Sequence, residues 1–411
     1  MNAGQEPQPV IQSLLDLDFY KLTMLQFIWR RHRDVPVTFT FKNRTADVQL
    51  AQFVRLEDLT RELNHVSGLR ITDEELAYLA SLKTFDHEFL SWLAAPGLLP
   101  MTLGRVGAAQ DGQLRIEVSG PWSQVTLWET IVLAIVNELY YRAITPTGVD
   151  AYVAPAAVGT RRLDEKVAIL RQRRGIKVIE FGTRRRYSNA NQRYVLERLK
   201  DEVPANLLGT SNVLLAKELG LKPIGTFAHE LDMVYSGIYR DRLYKSHRLM
   251  LRDWWEEYGG PLSIALTDTY TSDFFFEDFT AEQAWVWRGF RQDSGDPFAF
   301  AGQAIAFYRR HGVDPMTKTI IFSDGLDVEK IVRLASACDG LVGCSFGWGT
   351  DLTNDVGFRP LSLVMKVTAA AGHGTVKLSD NLAKAQGSPE DIALFTRTFG
   401  HAPTTREECK Y

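Results

Sequence analysis

The first part of the chain alternates between helical and extended patterns of apolar residues. Apolar positions recur at helical spacing from 19 to 32, whereas VPVTFTFK at 35–42 alternates as a strand does. Helical patterns return between residues 50 and 95, and LRIEVSG at 114–120 predicts a strand. Residues 126–145 form a long predicted helix that is apolar enough to lie in a core. These elements predict an N-terminal α+β lobe.

A different rhythm begins near residue 160, where short apolar stretches end in small or reactive residues and are each followed by a helical stretch. Seven such stretches occur in the order IKVIEFGT, NLLGTSN, KPIGTFAHE, LSIALTDTY, WRGFRQDSGD, TIIFSDG and GLVGCSFGWGT. No glycine-rich dinucleotide turn follows the first of them. Repeated strand–helix units of this kind predict an α/β fold and favour a (β/α) barrel over an open sheet.

The last residues of the seven predicted strands are polar or charged. They include Arg184 and Arg185, Ser211 and Asn212, His229 and Glu230, Asp268, Arg291 with Asp293, Asp324 and Thr350. In barrels the active site lies where strands run into the following loops, so these residues predict one catalytic mouth. The alternative is that each is polar only because strand ends meet water, and the recurrence across seven strands weighs against it.

The end of the chain resumes the pattern of the first lobe. PLSLVMKVTAAAG and GTVKLSD, beyond residue 360, have the apolar character of strands, and a polar tail follows from Pro389. No low-complexity stretch or long linker separates the parts. We predict two closely packed domains. Residues 1–145, completed by about 361–411, form the smaller α+β domain, and residues 146–360 form the barrel.

Composition and charge narrow the class of protein. The 411 residues are 45% hydrophobic and 24% charged, as in a globular protein with a large core. With 47 Lys plus Arg against 50 Asp plus Glu, the net charge of -3 gives no reason to expect nucleic acid or a membrane as a partner. The three cysteines form no disulfide or zinc pattern, and the first residues lack an export signal, so we expect a cytoplasmic protein.

Three stretches have the composition of phosphate-binding loops. SDGLD at 323–327 and FGWGTD at 346–351 combine glycines, which let backbone N–H groups approach an anion, with the hydroxyls of Ser323 and Thr350. FGTRRRYSN at 181–189 adds three consecutive arginines, whose planar guanidinium groups suit phosphate or pyrophosphate. The alternatives are ordinary tight turns for the first two stretches and a solvated basic face for the arginines.

Two further stretches carry side chains suited to binding and transfer. In RQDSGDP, Arg291 and Asp293 would point the same way from a strand, so the arginine could bind a carboxylate and the aspartate a ribose hydroxyl or magnesium. A structural salt bridge between them would fit the same spacing. In GTFAHELDM, His229 follows a strand end, three residues after Thr226, where it could act as a nucleophile or an acid–base group. A lone histidine is more often structural, and its predicted place at the mouth favours a functional role.

Together these stretches resemble the nicotinate phosphoribosyltransferase family over most of the chain. DLDFYKLTM at 16–24 is similar to the family's opening motif, and FGTRR, GTSN, GTFAHE, RQDSGDP, FSDGLD and FGWGTDLTND follow in the family's order. The resemblance implies a type II phosphoribosyltransferase fold, with an irregular α/β barrel packed on a smaller sandwich-like domain built from both chain ends. It also implies a homodimer with shared active sites, in which we expect Tyr20 to reach the pyridine site of the partner subunit.

The resemblance implies synthesis of nicotinate mononucleotide from nicotinate and phosphoribosyl pyrophosphate in NAD salvage, by an ATP-dependent ligase that uses magnesium. It also implies that His229 is transiently phosphorylated by ATP, and Arg291 and Asp293 complete the expected catalytic set. Nicotinate is expected to contact Tyr20, Thr226 and Arg291. Composition and resemblance together assign the phosphate groups to Arg184, Arg185, Ser323, Asp324, Gly325, Gly347, Gly349 and Thr350. Trp348 departs from the family pattern, because it is bulkier than expected in a phosphate loop.

Three other functions stay open. Nicotinamide phosphoribosyltransferase shares the implied fold, but an amide needs a hydrogen-bond acceptor rather than a cation, so Arg291 and the GTFAHE string favour the acid. Quinolinate phosphoribosyltransferase is usually a shorter chain, and the sequence has no extra cluster of cations for a second carboxylate. A non-catalytic barrel that binds sugar phosphates would keep the glycine-rich loops but would have little use for His229.

Overall fold

The computed structural model describes residues 8–100, 104–145 and 149–401. Its helices are Phe19–Arg31 (α1), Leu56–Gly68 (α2), Asp73–Ser81 (α3), His87–Leu93 (α4), Trp122–Val125 (α5), Trp128–Ile144 (α6), Val149–Arg171 (α7), Asn189–Glu202 (α8), Val213–Leu219 (α9), Glu230–Ile238 (α10), Ser246–Tyr258 (α11), Ser272–Asp278 (α12), Ala281–Val286 (α13), Pro297–Arg310 (α14), Val328–Cys338 (α15), Thr350–Thr353 (α16) and Pro389–Phe399 (α17). Its strands are Pro36–Asn43 (β1), Gly104–Ala108 (β2), Leu114–Pro121 (β3), Val178–Glu180 (β4), Leu207–Thr210 (β5), Ile264–Leu266 (β6), Gly289–Gln292 (β7), Thr319–Phe322 (β8), Gly343–Trp348 (β9), Leu363–Ala370 (β10) and His373–Gly374 (β11).

The smaller, antiparallel sheet is built from both ends of the chain. Its strands lie in the order β11-β10-β1-β3-β2, so that β1 pairs with β3 on one side and with β10 on the other. The alternation that predicts β1 is confirmed, since Val37, Phe39 and Phe41 are buried. The predicted return of the chain to the first lobe is confirmed for β10. The domain limits near residues 145 and 360 stay predictions.

The segment after β10 differs from the expectation. GTVKLSD was expected to form a strand, and this is wrong beyond Gly374. Lys377 instead exchanges two backbone hydrogen bonds with Gln386 (3.0 and 2.8 Å), and Leu378 donates its N–H to Thr269 O (2.8 Å). The segment therefore leaves the antiparallel sheet and packs against the loop after β6. Its backbone N–H and C=O groups find hydrogen-bond partners there, so they do not need those of a neighbouring strand.

The larger sheet is parallel, in the order β5-β4-β9-β8-β7-β6, and contains six of the seven predicted strands. The remaining stretch, KPIGTFAHE at residues 222–230, is not a strand. Its backbone bonds to Thr210 at the end of β5, and Thr226 Oγ1 donates to Ile264 O in β6 (3.2 Å), so it lies between the two edge strands. Within the described ranges no ladder joins β5 to β6. The predicted mixed α/β fold is confirmed, with a parallel sheet that hydrogen bonds do not close.

Two helices carry much of the apolar core. Every residue of α1 from Phe19 to Trp29 is buried, and so is every residue of α6 from Trp128 to Tyr141, which confirms the predicted core position of that helix. Helix α6 contacts both β10 and the turn after β4, and thereby links the two sheets. Among the helices of the described chain, none is both long and apolar enough to span a membrane.

A cluster of charged side chains lies inside this core. Lys21 Nζ lies 2.7 Å from Glu129 Oε2 and also contacts the carboxylate of Glu230. Trp122 Nε1 and Thr126 Oγ1 each donate to Glu230 Oε1 (2.6 Å). Burial alone would lower the pKa of Lys21, but the two carboxylates outweigh it and raise that pKa. The lysine is therefore charged, and its two ion pairs connect helix α1 with helices α6 and α10.

Removing this buried cation should destabilise the protein strongly. Lys21→Met would leave Glu129 and Glu230 buried without their shared partner, which typically costs about 3 to 5 kcal/mol. We expect a loss of that size in the free energy of unfolding measured by urea titration. The control is Lys217→Met, which removes a surface pair with Glu74 and should cost less than about 1 kcal/mol. Equal losses in the two variants would contradict the role given to Lys21.

Candidate active site

A cavity of about 290 Å³ lies where the C-terminal ends of the parallel strands meet β10 of the antiparallel sheet. Its lining includes Tyr20, Arg184, Arg185, His229, Arg291, Asp293, Ser323, Asp324, Gly325, Gly347, Gly349 and Thr350. The structure thus brings together every residue expected to bind substrate or act in catalysis except Thr226. Three of the polar strand-end residues expected at the mouth, Asn212, Glu230 and Asp268, are buried outside this lining. The hydroxyl of Thr226 donates to Ile264 O (3.2 Å), and its carbonyl accepts from Thr23 (2.7 Å). The individual roles of these residues stay predictions.

His229 is buried at the start of α10, and both ring nitrogens contact polar groups. Its Nδ1 lies 3.0 Å from Thr269 Oγ1, while its Nε2 lies 3.1 Å from Asp293 Oδ2 and 2.8 Å from Lys377 Nζ. Burial has the largest effect on the pKa of His229 and the positive charge of Lys377 the next largest, and together they lower this pKa to about 4. The imidazole is therefore neutral near neutral pH and keeps a lone pair for nucleophilic attack.

The hydrogen bonds around His229 assign its tautomer. Thr269 Oγ1 donates to Asp232 Oδ2 (2.8 Å), so this hydroxyl accepts from the ring, and Nδ1 carries the proton. The ammonium of Lys377 can only donate, so Nε2 accepts from it. The lone pair consequently lies on Nε2, the nitrogen nearest to Asp293 and Lys377, which both line the cavity.

Two aspartates beside His229 form a potential cation site. The ligand atoms of Asp268, Asp293 and His229 all lie within 4.8 Å of one another. Asp268 is fully buried, and its Oδ1 has no hydrogen-bond partner in the described part of the chain. Burial by itself would raise the pKa of Asp268, but Lys377 and His229 outweigh it and lower that pKa to about 2. The carboxylate is therefore ionised, with one oxygen left for a ligand.

The glycine-rich loops after β8 and β9 present their backbone to the cavity. Gly325 has a φ of +51°, a left-handed conformation that residues with a side chain rarely adopt. A Cβ atom at Gly347 would overlap the ring of Phe181. Ser323 Oγ lies 2.9 Å from Asp293 Oδ1, which joins the first loop to the carboxylate cluster. Both glycines are thus required by the local backbone or packing, and both leave room for an anion.

Trp348 does not obstruct the second loop. Its side chain is fully buried, and its Nε1 donates to Asp351 Oδ2 (3.0 Å). Lys166 Nζ lies 3.1 Å from the same carboxylate oxygen and 5.6 Å from the centre of the Trp348 ring. The bulky residue therefore supports the loop from within the protein, and its neighbours Gly347 and Gly349 line the cavity.

The three consecutive arginines have different surroundings. Arg186 is fully buried and donates to both carboxylate oxygens of Asp16 (2.6 and 2.7 Å), which is a structural pairing. Arg184 and Arg185 line the cavity, and Arg184 lies 3.5 Å from Asp18. Arg185 Nε also donates to Leu363 O (3.2 Å), and both guanidinium groups add positive charge to the cavity. The three arginines therefore do not form the solvated basic face that was the alternative from the sequence.

Arg291 extends from β7 with one donor committed to the backbone. Its Nη1 donates to Phe227 O (3.2 Å), and its Nη2 lies 3.7 Å from Asp293 Oδ2. Its Nε is buried and has no hydrogen-bond partner among the described residues. The salt bridge considered from the sequence is thus present but long, and it leaves a donor for a ligand carboxylate.

Tyr20 lines the cavity of its own chain. Phe19 N–H donates to Ser211 O (2.6 Å), which holds the start of α1 beside the end of β5. The ring of Tyr20 lies 5.7 Å from the guanidinium carbon of Arg184, and its hydroxyl is buried without a hydrogen-bond partner in the described chain. This placement is within one chain, and the expected reach of Tyr20 to the pyridine site of a partner subunit stays a prediction.

Sequence reasoning missed a set of cations that reach the cavity from the chain after β1, from β10 and from the segment after β11. They are Arg44, Lys366, Lys377 and Lys384. Lys366 extends from β10, and burial lowers its pKa to about 8. The available signal was a lysine within an otherwise apolar stretch, as in PLSLVMKVTAAAG and GTVKLSD. That signal does not say which other element the lysine faces.

Comparisons with known proteins agree with this architecture. The model of the nicotinate phosphoribosyltransferase (NAPRTase) family matches residues 176–402, and the model of the NAPRTase N-terminal domain matches residues 15–137. The crystal structure of nicotinate phosphoribosyltransferase from Vibrio cholerae is 37% identical with a TM-score of 0.88, and the match covers 96% of this chain and 95% of that one. The enzyme of that name from Porphyromonas gingivalis is 33% identical with a TM-score of 0.87, over 95% of this chain and 100% of that one. Matched over both of its sheets and almost from end to end, the chain belongs to the nicotinate phosphoribosyltransferase family.

Proposed function

We propose that this protein joins nicotinate to phosphoribosyl pyrophosphate, giving nicotinate mononucleotide and pyrophosphate in NAD salvage, and that ATP drives the reaction through a phosphohistidine at His229. The observation that carries the proposal is one cavity lined by a neutral buried histidine, an ionised carboxylate and an arginine with a spare donor, with the ionised and fully buried Asp268 beside them. A barrel that only binds sugar phosphates would need the glycine-rich loops, but it would have no use for this cluster.

Arg291, Tyr20 and Phe181 are the residues best suited to nicotinate, since an arginine and two aromatic rings line the cavity together. A carboxylate would accept a charge-assisted hydrogen bond from Arg291 Nε, which otherwise has no partner within the described chain. The amide of nicotinamide would offer only a neutral oxygen, so the acid is favoured. The pyridine nitrogen carries its own lone pair and needs orientation toward the ribose carbon rather than a general base.

Asp268 and Asp293 fit a magnesium ion. Magnesium prefers oxygen ligands, and Asp268 Oδ1 is a buried carboxylate oxygen that no described residue satisfies. We assign these two aspartates, together with phosphate oxygens of the substrates, to the ion. When bound, magnesium would neutralise the charge that develops on the departing pyrophosphate. Arg184 and Arg185 add positive charge at the same cavity.

His229 is assigned to phosphoryl transfer. Its Nε2 attacks the terminal phosphorus of ATP, so that a phosphorus–nitrogen bond forms while the phosphorus–oxygen bond to ADP breaks. Because the ring is neutral, no proton has to leave the attacking nitrogen, and Thr269 keeps its contact with the Nδ1 proton. Water later cleaves the phosphorus–nitrogen bond and releases phosphate. Phosphorylation and dephosphorylation would change the charge of the cavity, and this change would couple ATP hydrolysis to substrate binding and product release.

The first prediction from this proposed function concerns the carboxylate of nicotinate. Losing a charge-assisted hydrogen bond costs roughly 1.5 to 3 kcal/mol, so Arg291→Ala should lower kcat/KM for nicotinate by about one to two orders of magnitude. Arg291→Lys keeps a cation and should lose less. Initial rates of nicotinate mononucleotide formation measure both variants. A wild-type kcat/KM in Arg291→Ala would remove the arginine from the nicotinate site.

The second prediction separates energy coupling from bond formation. ATP labelled in its γ-phosphate should leave an acid-labile, base-stable label on the wild type and none on His229→Ala. Since the pyridine nitrogen attacks the ribose directly, His229→Ala should still form nicotinate mononucleotide slowly, without stimulation by ATP. Stimulation of this variant by ATP would place the phosphoryl acceptor elsewhere. Complete loss of synthesis in the folded variant would instead move His229 into the bond-forming step.

The third prediction concerns the expected homodimer, which stays a prediction. Tyr20 and His229 line one cavity of one chain, so neither Tyr20→Ala nor His229→Ala contains an intact site. Mixing the two variants should therefore restore no ATP-stimulated synthesis, even after subunits have exchanged. Differently tagged chains that purify together would document the exchange. Recovery of ATP-stimulated activity in such mixed dimers would establish a site shared between subunits.

A further inference from the structure

The ammonium of Lys377 contacts Asp268 and His229, two members of the cluster formed by Asp268, Asp293 and His229. Its Nζ is 3.1 Å from Asp268 Oδ2 and 2.8 Å from His229 Nε2, and its side chain is only 7% exposed. The ligand atoms of the cluster lie within 4.8 Å of one another, so a cation close to two of them is also near the third. A side-chain cation of the protein therefore lies where the carboxylates would hold a metal ion.

The backbone fixes the base of this side chain but not its tip. Lys377 exchanges two backbone hydrogen bonds with Gln386 (3.0 and 2.8 Å), and the following Leu378 donates to Thr269 O (2.8 Å). The four-carbon stem remains rotatable, and Lys377 lines the cavity. The ammonium can therefore turn toward a ligand in the cavity without a change in the fold.

An ammonium and a divalent cation exclude each other at this distance. Magnesium binds carboxylate oxygens at about 2.0 to 2.1 Å, which would put it within a few ångströms of Lys377 Nζ in a buried site. Positive charges so close together repel strongly where little water screens them. Arg291 Nη2, 3.7 Å from Asp293 Oδ2, adds to that repulsion.

We infer that Lys377 holds the cation position beside Asp268 and His229 until a polyphosphate draws its ammonium away, so that a divalent cation binds Asp268 and Asp293 only together with that polyphosphate. The polyphosphate is the pyrophosphate or triphosphate group of a substrate, so this inference rests on the proposed function. Phosphate oxygens give the ammonium new acceptors, and the carboxylates then bind the metal. Metal and polyphosphate therefore raise each other's affinity.

The neighbouring lysines provide a matched control. Lys366 lines the same cavity, but its Nζ lies 3.4 Å from Glu129. Lys366→Met therefore removes one positive charge from the cavity and leaves Lys377 beside Asp268. Lys384 is less suitable as a control, because its Nζ donates to the backbone oxygen of Asp293 (3.0 Å).

Binding of free Mn²⁺, counted by electron paramagnetic resonance in the absence of all substrates, tests the inference. Lys377→Met should bind Mn²⁺ at least about 10-fold more tightly than the wild type, because a cation beside a carboxylate changes its affinity for another cation by that order. Lys377→Arg keeps the charge and should bind as weakly as the wild type. Lys366→Met should gain much less affinity than Lys377→Met. Equal Mn²⁺ affinities in Lys377→Met and the wild type would overturn the inference.

A second measurement uses the unaltered protein. Inorganic pyrophosphate should increase the Mn²⁺ held by the wild type, after the Mn²⁺ bound by pyrophosphate alone has been subtracted. The same addition of pyrophosphate should increase the Mn²⁺ bound by Lys377→Met far less than the Mn²⁺ bound by the wild type. Tight Mn²⁺ binding by the wild type without pyrophosphate would contradict the inference. Either failure would leave the proposed synthesis intact, because formation of nicotinate mononucleotide is measured separately. If the wild type makes no nicotinate mononucleotide while Lys377→Met binds Mn²⁺ more tightly, the exclusion of the metal by Lys377 stands and the proposed substrate is wrong.

Discussion

The buried ammonium of Lys21 holds together the parts of the molecule that form the site. It extends from α1 into an apolar core and lies between Glu129 of α6 and Glu230 of α10. A charge at this depth is stable only when its partners are in place, and Glu230 accepts two further hydrogen bonds from the chain around α5. Since Glu230 directly follows His229, the contacts that join the three helices also set the position of the histidine. The same packing brings β10, which contacts α6, toward the ends of the parallel strands.

That arrangement gives the cavity two sides with different chemistry. The ends of the parallel strands and the loops around them contribute His229 and Asp293, with Asp268 beside them, whereas β10 contributes Lys366 and the segment after the antiparallel sheet contributes Lys377. Burial and the nearby Lys377 keep the histidine neutral, and the same lysine helps to keep Asp268 ionised. A nucleophile and a cation site can therefore lie within hydrogen-bond distance of each other. Both protonation states depend on Lys377, which lies on the segment that follows the antiparallel sheet.

Residues of one type have different roles here because their surroundings differ. Arg184 lines the cavity, but Arg186, two positions later, is fully buried in a pair with Asp16. Trp348 lies between two cavity glycines and yet supports the loop from within the protein. In both cases a hydrogen-bond partner of the side chain determines which role the residue takes. A run of arginines or a bulky residue in a glycine-rich stretch is therefore compatible with several arrangements.

The sequence by itself determined the elements that are encoded in local patterns. Periodicity predicted α1, α6, β1 and six parallel strands, because side chains repeat along a helix or strand in a way that depends only on its own residues. Strand ends and glycine-rich stretches predicted most of the cavity, because parallel strands end at one edge of their sheet. Only the tertiary structure decided that residues 222–230 lie irregularly between two strands, that Tyr20 lines the same cavity as His229, and that Lys377 faces Asp268. These three results depend on contacts between residues far apart in the chain, and such contacts follow from packing of whole elements and from where each backbone group finds a partner.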